Sequence, residues 1–169
     1  MSTDTPAPAP SSALRTATIV LAIVEMLGAL SGVTVFGRLS EYGNSFAQWL
    51  LFIGVAIFPV LAIIALVFAV RGNVPRAIMA IAAIVIVQFL TDYLPGMFIH
   101  GLEFLRGNLG NNLYLFAQTV LIPILAVVSF ELARRNQRLW LALVLASLST
   151  VANIGGVIAF AIGVMIYGF

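Results

Sequence analysis

The chain has 169 residues, of which 62% are hydrophobic and only 8% charged, and its mean hydropathy is +1.14. A soluble domain carries about 25% charged residues, so this composition excludes a water-coated globule and points to a chain solvated mainly by lipid. Eight basic residues, all arginine, stand against six acidic ones for a net charge of +2. So small a balance implies no nucleic-acid partner, and the missing cysteine and lysine exclude disulfides, thiolate metal sites, thiol redox chemistry and Schiff-base cofactors.

Residues 1–13, beginning "MSTDTPAPAPSS", are rich in Pro, Ala, Ser and Thr without apolar periodicity, and are expected to form a disordered tail. The remainder, 14–169, is expected to be a single integral membrane helical domain, all-α. Apolar runs over 14–36, 47–70, 76–94, 113–132 and 139–167 each approach or exceed the roughly 20 residues that span a bilayer as helix. The fold predicted is a polytopic bundle of five transmembrane helices.

The first run contains a carboxylate, Glu25, in "IVLAIVEMLGALSG". A glutamate at the centre of a helix costs about 2.5 to 3.5 kcal/mol on insertion, and each Leu, Ile, Val or Phe returns roughly 0.3 to 0.6. The run is apolar enough to remain a permanent helix, and its glutamate argues against a cleavable signal peptide. Glu25, Gly28 and Gly32 share one stripe, and the Gly28–Gly32 pair allows close backbone approach, so this face is expected to pack within the bundle.

The second and fourth runs match at a shift of 64 residues. Leu51, Phe52, Pro59, Leu61, Ala62, Ala69 and Arg71 meet Leu115, Phe116, Pro123, Leu125, Ala126, Ala133 and Arg135. This is the pattern of a parallel internal repeat, with helices two and three recurring as four and five. Pro59 and Pro123 each lack an amide hydrogen and are expected to kink their helices, freeing the carbonyls of Val55 and Thr119.

Between the third and fourth runs, "MFIHGLEFLR" suggests an interfacial helix over about 97–106, with His100, Glu103 and Arg106 at helical spacing. His100 and Glu103 alone fall short of a metal site, so no metal or other cofactor is expected. The fifth run would extend about 42 Å at 1.5 Å per residue, longer than a bilayer core, and must tilt, protrude or break at "NIGG". Gly155 and Gly156 belong to a small-residue stripe there, expected to pack within the chain.

Arg15, Arg71, Arg76, Arg134, Arg135 and Arg138 share one side of this topology, against Arg38 and Arg106 on the other. The excess predicts a cytoplasmic N-terminus and an outside C-terminus, as in a bacterial cytoplasmic (inner) membrane. Counting from those ends places Glu25, Gln88, Asn153 and Gln118 at about 16 to 22 Å of depth, with Asp92 just beyond. Amides and carboxyls in hydrocarbon must pair, so these groups are expected to face one another around an outward-facing pocket, with Glu25 donating to Gln88 or Asn153.

Binding or transport of a small solute, lipid or proton follows as the leading expectation. The alternative is an accessory subunit of a larger membrane complex or homo-oligomer. An intramembrane enzyme using Glu25 and Asp92 stands third, without a nucleophile or metal motif to identify catalytic residues.

Overall fold

The computed structural model describes residues 11–32, 46–95, 97 and 109–168, all but a few of them helical, with no strand among them. The expected interfacial helix over 97–106, with His100, Glu103 and Arg106, lies outside these residues except for Met97. Five helices are long and apolar enough to cross a membrane. They are α1 (Ser12–Gly32), α2 (Phe46–Val70), α3 (Val74–Gln88, continued by a π turn over Phe89–Tyr93), α4 and α5 (Leu139–Tyr167). Helix α4 is composite: α-helical over Leu109–Phe116, a π turn over Ala117–Leu121, then α-helical over Ile122–Arg134.

Helix α3 starts at Val74, two residues before the expected Arg76, because Pro75 fits the first turn and the Asn73 side chain accepts from the Arg76 amide at 3.4 Å. The turn before it closes with Gly72 N–H donating to Ala69 O and Asn73 N–H to Phe68 O. Between α4 and α5 the same pair recurs, Asn136 to Ala133 and Gln137 to Leu132. Gly72 (φ 80°) and Asn136 (φ 54°) hold the left-handed position this cap needs. These matched caps sit at the 64-residue shift and support the repeat in geometry as well as sequence.

The prolines act differently. Pro59 lies inside an unbroken α2, whereas Pro123 follows a π turn in which the Ile122 amide reaches back five residues to Ala117. Pro95 likewise follows a π turn, with Leu94 N–H bonded to Phe89 O. In both, a threonine four residues before the proline donates its hydroxyl to the preceding turn: Thr91 to Val87 O (2.9 Å) and Thr119 to Leu115 O (2.7 Å). Widening the turn relieves the clash of the proline ring with the carbonyl four residues earlier.

The helices converge at the end that carries Arg15, Arg71, Arg76, Arg134, Arg135 and Arg138. There Leu14, Ala22, Ala65, Val74, Ile78, Ile81, Ala133, Ala142 and Ala146 form a buried core in which small side chains let backbones approach. Fully buried Ser129 donates to the Ala142 carbonyl at 2.7 Å, joining α4 to α5. Arg15 donates to the Val70 carbonyl, and Glu131 accepts from Arg134 and Arg135.

Helix α3 is the central element, packed on α2 and α4 and touching α1 and α5. Away from the arginine end the outer half of α5 is largely uncovered, with Phe160 69% and Met165 85% exposed. It neither breaks at Asn153 nor packs its small-residue stripe inward. A Cβ built on Gly28, Gly155, Gly156 or Gly163 meets no heavy atom within 4 Å, which corrects the expectation that Gly28, Gly155 and Gly156 seat helices within the chain. The backbone of Gly32 ends α1, and its surroundings lie outside the described side chains.

Close approach occurs instead at Gly54, where a Cβ would lie 3.0 Å from Thr91 Cβ and 3.3 Å from Phe58 Cζ. Gly54→Ala should therefore destabilise the protein by roughly 1 to 3 kcal/mol through overpacking of α2 on α3. Gly155→Ala should cost nothing and favour the helix slightly. Denaturation midpoints in mild detergent measure both, and a harmless Gly54→Ala would contradict the α2–α3 contact.

Candidate functional site

Three helices supply the polar site. Glu25 comes from the middle of α1, Gln88 from the last α-helical residue of α3, and Ser149, Thr150 and Asn153 from one face of α5. They line a cleft of about 370 Å³ whose remaining walls include Val24, Gly28, Ile84, Val85, Ile154 and Val157. The cleft is bounded by α1, α3 and α5 together. Polar side chains that would be costly against lipid thus gather around one hollow.

Between α1 and α5, the Thr150 hydroxyl donates to Glu25 Oε1. The expected partners, Gln88 and Asn153, line the same cleft. Ser149 escaped the sequence reading altogether. Its signal was available, since Ser149, Thr150 and Asn153 fall on one helical face at spacings of three and four.

Asp92 and Gln118 are placed elsewhere. Neither lines the cleft; Asp92 belongs to the π turn of α3 and Gln118 to that of α4, and the two turns touch. Gln118 is only 2% exposed, and its Nε2, like Oδ1 of Asp92, is buried with no hydrogen-bond partner among the described residues. The single band of polar groups expected at one depth is therefore two places: an α1–α3–α5 cleft and an α3–α4 junction. Glu25 lines the α1–α3–α5 cleft, and Asp92 lies at the α3–α4 junction instead.

Asn153 also borders a second, more open hollow of about 660 Å³ with Tyr114, Gly156, Val157 and Phe160. Beside Thr119 and Pro123 runs an apolar groove of about 520 Å³ between α3 and α4. Among the described residues no group of three or more His, Asp or Glu side chains comes together as a metal site. Chemically, the cleft offers one titratable carboxyl, two amides and two hydroxyls, a set suited to hydrogen bonding and proton exchange. No family model, curated protein or solved structure matches the chain.

Replacing Glu25 tests the bond between α1 and α5. Glu25→Leu leaves Thr150 and the neighbouring amides facing an apolar side chain and should cost roughly 1 to 3 kcal/mol. Glu25→Gln keeps an acceptor for Thr150 and should stay close to the parent. Thermal unfolding in detergent compares them, and equal loss in both would show that shape, not hydrogen bonding, matters there.

Proposed function

We propose that this is a small multi-pass membrane protein that binds, and carries across part of the bilayer, a small molecule or proton through the cleft between α1, α3 and α5. The observation that carries this reading is the convergence of Glu25, Gln88, Ser149, Thr150 and Asn153 from three helices on one hollow. A purely structural polar contact needs two groups and no space. Here five polar side chains surround a volume within the range, roughly 300 to 1,000 Å³, of ligand sites.

The arginine distribution supports a cytoplasmic arginine end, and with it a cleft that opens in the outer half of a bacterial cytoplasmic membrane. A reporter active only outside the cytoplasm should be active when fused after Phe169 and silent after Arg138. Activity at both sites, or the reverse pattern, would overturn that topology.

The second reading, an accessory subunit within a larger complex or a homo-oligomer, is favoured by the exposed outer half of α5 with its Gly155, Gly156 and Gly163 stripe. The two readings diverge on whether the cleft is wet. In this cysteine-free chain, Asn153→Cys should react with a water-soluble thiol reagent, while Ala65→Cys and Ala80→Cys, in the buried core, should not. Equal protection of all three would favour the subunit reading.

A further inference from the structure

We infer that the cleft accepts an amphipathic cation, an amine or onium group on an apolar body, which enters sideways from the lipid and takes the place of a proton on Glu25. The inference rests on the reading of the cleft as a binding site, and three observations specify the ligand.

The first is charge. Glu25 is the one titratable group among the cleft-lining residues; α3 contributes Gln88, and α5 contributes Ser149, Thr150 and Asn153, all uncharged. The described arginines lie at the converged end, beyond the alanine core. Among the described residues, an anion in the cleft would meet a carboxyl and no cation. A cation finds the carboxylate, whose two oxygens offer about four acceptor sites, only one of which Thr150 takes.

The second is shape. The polar groups come from all three helices, and the rest of the lining is aliphatic, with Ile84 and Val85 on α3 and Ile154, Val157 and Ile158 on α5. Such a cleft suits a ligand with a charged head and an apolar body. A small hydrated ion would leave those walls against water.

The third is access. Ile154, Val157 and Ile158 line the cleft and are still 46%, 69% and 53% exposed, so the α5 wall of the hollow is left largely uncovered. A ligand already dissolved in the bilayer reaches Glu25 without crossing the packed core.

The exchange balances in charge. A protonated Glu25 releases one proton to water as one monocation binds, and protonation expels the cation. Cation and proton therefore compete, so binding strengthens as pH rises and weakens as it falls.

Tetraphenylphosphonium and tetraphenylborate, nearly equal in size and opposite in charge, test this on the full chain in lipid nanodiscs by equilibrium dialysis with a pH indicator. The phosphonium ion should bind saturably, about one per chain, with proton release and affinity at least about tenfold weaker in acidic than in alkaline buffer. Tetraphenylborate should show no saturable binding. Glu25→Gln, which keeps the acceptor for Thr150, should remove both the proton release and the pH dependence while leaving the melting profile near the parent. Equal saturable binding of the two ions, or pH dependence retained in Glu25→Gln, overturns the cation inference and leaves the binding site standing. No saturable binding of either ion, together with an unreactive Asn153→Cys, overturns the site itself.

Discussion

In hydrocarbon no water is present to satisfy a backbone amide or carbonyl, so every spanning segment must satisfy its own, and departures from the α-helix need a local remedy. Prolines make this demand visible. Pro95 and Pro123 leave the carbonyls of Thr91 and Thr119 without an amide donor from four residues on. Each helix responds with a π turn, and each threonine hydroxyl donates to the carbonyl one turn earlier. The two widened turns meet between α3 and α4, where Asp92 and Gln118 lie. Thr91 is also the residue that Gly54 of α2 approaches. Backbone accounting at two prolines thus sets how α2, α3 and α4 fit together.

Five helices were legible because a run of about 20 apolar residues has no other stable form in this composition. Their neighbours were not. Hydropathy carries depth along the membrane normal but nothing about which helix sits beside which, so Glu25, Gln88, Asp92, Gln118 and Asn153, close in depth, read as one band. The structure divides them because α3 lies centrally and sends Gln88 to one side and its π turn to the other. The π turns themselves had a sequence signal, the Thr-x-x-x-Pro spacing at Thr91–Pro95 and Thr119–Pro123, but Pro59, with Val55 at the matching position, shows that proline alone does not produce one. Gly28, Gly155 and Gly156 carried the pattern of close packing without the partner, since glycine spacing permits an approach and does not cause it.

The internal match illustrates a similar division between local and tertiary information. Equivalent caps at Gly72 and Asn136 follow from short-range sequence and recur faithfully. Helix α3 is buried on several sides, whereas its counterpart α5 lies at the edge with one face on α4 and much of its outer half exposed. Two hairpins of matching sequence within one chain thus have different neighbours. The position of α5 at the edge is what leaves room between it and α1 for the cleft.

That position also determines where the bundle yields most easily. Separation at the arginine end would expose the alanine core and break the Ser129–Ala142 bond, both held in dense packing. Separation at the far end works against little packing, because the outer half of α5 is already largely exposed. Thr150 to Glu25 joins α1 to α5, and interhelical bonds of this kind are worth only about 0.6 to 2 kcal/mol. A difference of that size is within reach of a protonation change or a bound ligand, since either acts on the carboxyl that forms the bond. The one titratable group among the residues lining the cleft is thus also the acceptor in a bond that ties α1 to α5.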